Sequence, residues 1–106
     1  ILLQKNKTEY ANNIYWVFGV LLKKGNKNIR NTIMKKLLKL NIDTRPFFKP
    51  MQHQTIFKKL KIFKNEKLFN SDYLSDNGFY LPSGLGITNK EVAFVAKNLI
   101  NILKKH

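Results

Sequence analysis

Residues 44–54 read Thr44-Arg45-Pro46-Phe47-Phe48-Lys49-Pro50-Met51-Gln52-His53-Gln54. Proline lacks the backbone N–H that a helix interior or a central strand requires, and it pushes the preceding residue out of the α region. Arg45 and Lys49 are therefore extended, and residues 42–48 form a strand-like segment rather than a helix. The chain must stop being helical before this tract, and that sets the elements on either side. The tract also gathers one of only two arginines, two of three prolines and the internal histidine. A stiff backbone lowers the entropy cost of presenting polar side chains to a ligand, and such loops are where binding residues concentrate.

Upstream, Ile29, Ile33, Leu37 and Leu40 recur at helical spacing, joined by Met34 and Leu38, with Lys35, Lys36 and Lys39 on the other side. This predicts an amphipathic helix over residues 28–40, stopped by Asn41. Further back, residues 14–22 are β-branched and aromatic and predict a strand buried on both faces. Lys23-Lys24-Gly25-Asn26 is a turn. Residues 1–13 are polar after three apolar positions and read as a lead-in without a partner of its own, so the domain proper is 14–106.

Downstream, short helices are expected over 54–60 and 67–75, ended by a turn at Asn77-Gly78. Phe79-Tyr80-Leu81 is a short strand stopped by Pro82, and Ser83-Gly84-Leu85-Gly86 is a flexible loop that offers an anion cradle as its alternative role. Thr88 and Glu91 have capping-box spacing. They open a last helix carrying Val92, Val95, Ala96, Leu99, Ile102 and Leu103 inward. The fold class is therefore α/β (α+β): a small, mostly antiparallel three-stranded sheet with helices packed on it.

The formal charge of +14 rests almost wholly on lysine spread through every segment, beside abundant asparagine, isoleucine and phenylalanine. These residues share A/T-rich codons, and phosphate and base readers favour arginine. The charge reads as a solvated surface, so neither nucleic acid nor membrane is expected as a partner. A small basic module binding nucleic acid or protein without catalysis is the alternative. The absence of cysteine excludes disulfides and fits a reducing compartment, the cytoplasm. His53 and His106 share no metal-ligand spacing with a carboxylate, and no metal is expected.

Asn13-Ile14-Tyr15-Trp16-Val17-Phe18-Gly19, Asn41 through Met51, Gly78-Phe79-Tyr80-Leu81-Pro82-Ser83-Gly84 and Ile87-Thr88 together resemble the C-terminal part of DegT/StrS-type sugar aminotransferases, above all the perosamine-synthase-like members. The resemblance covers about residues 13–102 in the family's order. It implies the small domain of a fold-type I, pyridoxal 5'-phosphate (PLP) dependent homodimer. Such an enzyme moves an amino group from glutamate to a keto nucleotide-sugar; a PLP-dependent sugar dehydratase is the variant within the family. The Schiff-base lysine is expected outside this chain, which alone should be inactive. The tract would form one wall of the active-site cleft, and Arg45, Phe47, Gln52, His53 and Gln54 are the expected substrate-binding residues. Many members carry His-x-Gln two residues after the proline that Pro50 matches. Here Gln54 matches, Gln52 stands at the histidine position and His53 is displaced by one.

Overall fold

A computed structural model describes residues 1–63 and 66–105; His106, the second histidine of the sequence, lies outside the described residues. The chain runs β1 (Leu2–Leu3), β2 (Phe18–Leu21), α1 (Lys27–Leu38), β3 (Arg45–Pro46), a 3-10 turn (Met51–His53), α2 (Thr55–Lys59), α3 (Phe69–Asn77), β4 (Gly78–Leu81) and α4 (Asn89–Leu103). The sheet has four strands in the order β1-β2-β4-β3, all neighbours antiparallel. The fold class is thus the expected mixed α/β one, with one strand more than predicted.

That extra strand comes from the segment read as a lead-in. Leu2 and Leu3 pair with Leu21 and Val20. Gln4 Oε1 accepts a hydrogen bond from the Gly19 amide at 2.9 Å. Beyond it, Asn13 donates through Nδ2 to the Lys5 carbonyl and through its backbone to that of Asn6, folding this stretch back on itself. The expected long strand over 14–22 is cut to four residues. Tyr15 adopts a left-handed φ of 49°, and its partner β4 has only four residues with which to pair. Trp16, at 75% exposure, and Ile14 stand in solvent instead of in a doubly covered strand.

α1 begins with Asn26, whose side-chain oxygen accepts from the amides of Asn28 and Ile29. It ends as its sequence predicts. Asn41 takes a left-handed φ of 58°, the Ile42 amide reaches the Leu37 carbonyl and the Asn41 amide that of Leu38. This is a Schellman stop, in which the hydrophobic residue after the left-handed one packs back on the last turn. Ile42 and Leu37 are both buried in the core, with Val20, Leu22, Ile33, Phe79, Val95 and Leu99.

α3 passes directly into β4 without the turn expected at Asn77-Gly78. Asn77 is buried, its carbonyl accepting from the Leu22 amide and its Nδ2 donating to the Tyr73 carbonyl. α4 carries the predicted capping box: the Thr88 amide and hydroxyl both donate to Glu91 Oε2 at 2.7 Å, and the Glu91 amide donates to Thr88 Oγ1 at 3.3 Å. Those bonds hold the Glu91 carboxyl below its ordinary pKa. Of the α4 residues expected inward, Val95 and Leu99 are buried and Ile102 and Leu103 are half-buried, whereas Val92 and Ala96 are exposed. A sheet with four-residue central strands is too narrow to cover the wider apolar stripe.

Candidate functional site

Residues directly paired across an antiparallel ladder share a face of the sheet. Phe18, Val20, Phe79 and Leu81 face the core; Gly19, Gly78, Tyr80 and Arg45 take the opposite face. Phe47 follows two residues after Arg45 and so returns to that second face. There it lies over the glycine pair: a Cβ at Gly78 would fall 2.2 Å from Phe47 Cδ2, and one at Gly19 would fall 3.0 Å from Cζ. At Gly78 only glycine leaves room for the ring, whereas at Gly19 a Cβ would press on its tip. Tyr80 stacks on Phe47 with centroids 4.6 Å apart, and the Phe47 amide donates to the Gly78 carbonyl at 3.1 Å. Phe47 is the anchor of the tract.

The far end of the tract is pinned by α3. His53 Nε2 lies 2.6 Å from Asp72 Oδ1, and Gln52 Nε2 donates to the same oxygen at 3.0 Å. Gln54 Nε2 donates to the Lys49 carbonyl at 2.9 Å and closes the tract on itself. Residues 51–53 form a 3-10 turn rather than extended chain. In that geometry neighbouring side chains are about 120° apart rather than opposed, as three residues complete a turn. Gln52 and His53 therefore converge on one carboxylate. The one-place displacement of the histidine does not reverse its direction, as it would on an extended backbone.

Two side chains flank the first pin and point outward: Arg45, two residues before Phe47, and Phe48, just after it. Phe48 is 76% exposed and leans on Tyr80 with centroids 5.9 Å apart. The Arg45 side chain has no hydrogen bond or ion pair among the described residues. Both line a groove of about 550 Å³ with Trp16, Tyr80, Thr44 and Ser83. Its chemistry is that of aromatic faces edged by a free guanidinium, hydroxyls and the Asp43 carboxylate. Such surfaces hold flat or ring-shaped polar ligands through their faces and fix their orientation through the rim. The expected site residues thus divide. Arg45 is free to meet a ligand, Phe47 is an anchor, and Gln52, His53 and Gln54 brace the loop. Of the Ser83–Gly86 loop only Ser83 lines this groove; a Cβ at Gly84 or Gly86 would meet open space, and Leu85 is fully in solvent.

Asp72, Tyr80 and Trp16 were not among the expected site residues. Trp16 and Tyr80 carried a signal, since both lie within the motifs that resemble the family. Asp72 carried none, being remote in sequence from the histidine it holds.

The sequence profile of the DegT/DnrJ/EryC1/StrS aminotransferase family matches residues 2–100, and the chain belongs to that family. Its fold is that of part of Spr1654 from Streptococcus pneumoniae, assigned as a sugar aminotransferase. In the PMP-form the TM-score is 0.84 at 21% identity, covering 97% of this chain and 26% of that one. The PLP-form gives 0.82 over the same coverage. PseC of Helicobacter pylori, an aminotransferase of pseudoaminic acid biosynthesis, gives 0.75 at 16% identity, covering 85% of this chain and 24% of that one. The chain therefore spans about a quarter of the length of these structures. No curated protein matches it in sequence.

A PLP site needs a lysine for the Schiff base, a carboxylate for the pyridine nitrogen and a phosphate cradle in one enclosed space. The described residues do not fit that set. Every described lysine is exposed except the half-buried Lys36, and Asp72 is occupied by His53 and Gln52. Among the described residues no cluster of three metal-ligating side chains occurs, and no helix is long and apolar enough to cross a membrane.

Proposed function

We propose that this chain is the C-terminal small domain of a cytoplasmic, homodimeric, PLP-dependent sugar aminotransferase of the perosamine-synthase-like kind. The reaction moves an amino group from glutamate to the keto carbon of a nucleotide-sugar. The cofactor, which supplies the electron sink, and its lysine belong to the rest of the longer protein. This chain's share is one wall of the cleft: residues 44–54, held rigid so that Arg45, Phe48 and Trp16 meet the substrate.

The observation that carries this reading is the double pinning of the tract. Phe47 in its glycine slot and Asp72 on the 3-10 turn fix the tract at two points, while the Arg45 side chain, two residues before the first, is left without a partner. A free arginine on a rigid rim suits an anionic or hydroxylated substrate. The test uses the full-length protein that contains this chain. It is expected to show the visible absorbance of bound PLP and to form more than one equivalent of 2-oxoglutarate per site from glutamate only when a keto nucleotide-sugar is supplied. Arg45→Ala is expected to raise KM for the sugar about tenfold or more, the loss of one charge-assisted contact. Absence of bound cofactor, or a full-length enzyme indifferent to Arg45→Ala, would sink the proposal.

A further inference from the structure

A second groove, of about 670 Å³, shares Pro46 with the aromatic one and follows the tract toward α1 and α3. Its lining draws basic groups from three places in the chain: Lys27 and Arg30 from α1, Lys49 and His53 from the tract, and Lys58 from α2. Asp76 is the one carboxylate that lines it. Arg30 is 5% exposed. Its guanidinium donates to the backbone carbonyl of Ser75, and through Nε at 3.2 Å and Nη2 at 2.9 Å to Asn31 Oδ1.

These partners are neutral. Among the described residues no carboxylate stands within ion-pair distance of Arg30, Lys27, Lys49 or Lys58. The end of α3 contributes a partial negative charge at the Ser75 carbonyl, and Asp76 acts from longer range. Burial nonetheless lowers the Arg30 pKa from its usual value, the mark of a cation that has lost water without gaining a full counter-charge. A desolvated charge is costly unless compensated. Lysines scattered over a surface are adequately explained by solvation. Three of them around a buried arginine, all bordering one concavity, repel one another unless an anion enters.

We propose that this groove binds a compact phosphate-class anion, with the diphosphate group as its best-sized occupant. Arginine offers the planar fork that matches phosphate oxygens and the lysines supply point charges around it. Identifying that anion with the diphosphate of a nucleotide-sugar rests on the function proposed above. The anion site itself rests on the groove alone.

The probe is inorganic pyrophosphate, titrated into the 106-residue chain at physiological salt and followed by amide NMR and calorimetry. Saturable binding at one site is expected, with the largest shifts at Arg30, Lys49 and His53. The double variant Lys49→Gln/Lys58→Gln should weaken binding about tenfold or more, whereas Lys97→Gln/Lys104→Gln, equal in charge but on α4 and its C-cap, should change it less than about twofold. Arg30→Lys keeps the charge and removes the fork; with circular dichroism unchanged, it too should weaken binding. Equal losses from the two double variants, or no binding at physiological salt, would overturn the site in favour of a diffuse surface charge. So would tighter binding of mixed-sequence DNA that ignores Lys49 and Lys58. An active full-length aminotransferase that pyrophosphate neither binds nor inhibits defeats this inference alone. Pyrophosphate binding intact in a protein without aminotransfer defeats the proposed function alone.

Discussion

On the face of the sheet that α1 and α4 cover, Val20 and Phe79 lie opposite one another without exposure, flanked by Phe18 and Leu81. On the other face the same two strands present Gly19, Gly78 and Tyr80, with Phe47 laid across the glycines. The first face is filled by side chains delivered by helices and is the source of stability. The second is hollowed to receive a single ring from a proline-stiffened tract. Core and candidate site are thus two sides of one small sheet, coupled through its backbone and separable by substitution.

Removing Phe79 should break both sides at once. Phe79→Ala leaves a cavity in the core and is expected to cost about 3–5 kcal/mol, measured by chemical denaturation. Gly78→Ala strikes the second face alone. Its methyl cannot coexist with Phe47, so the ring must leave; the cost is expected at about 1–3 kcal/mol, with helical circular dichroism retained and NMR changes concentrated in residues 45–54. At Gly19 the added methyl meets only the ring's tip, and Gly19→Ala should cost about 1 kcal/mol or less. If Gly78→Ala melted the helices as Phe79→Ala does, the two faces would not be separable.

Asp72→Asn tests the other pin. The His53–Asp72 pair is about half exposed, so the stability loss should be only about 0.2–1 kcal/mol. Amide exchange over residues 51–54 should nonetheless rise, and unchanged exchange there would show that the pin is idle. The smallest effect concerns the covered face. Because Glu91 has a lowered pKa in the fold, its contribution is present above the ordinary carboxylate value and is lost as pH falls through the lowered one. Below that window the start of α4 should fray, seen at the Thr88 amide, while the shifts of Phe47 and Tyr80 stay in place.

Much of the covered face was legible in the sequence because its signals are local. Helical spacing placed α1, Asn41 marked its stop, and Thr88 with Glu91 announced α4. The second face was legible only as a tract of unusual composition. Its anchoring depends on contacts that no window along the chain contains: Gly19 and Gly78 meet only in the fold, and Asp72 reaches back to His53. β1 was missed for the same reason, since two residues carry no periodicity and their pairing is decided by β2. Arg30 was not singled out, because its burial depends on its contact with Ser75 on α3, 45 residues away.

The Schellman stop at Asn41 also acts as a ruler. Ile42 is locked into the core, and only Asp43 and Thr44 separate it from Arg45, which is paired with Tyr80. Inserting or deleting one residue in that interval would swing Arg45 toward the helices and lift Phe47 off its glycines, because strand direction alternates residue by residue. Surface connections ordinarily absorb length changes freely. This one should absorb none, so the spacing between the left-handed residue and the arginine is a stricter hereditary constraint than the identity of most residues around it.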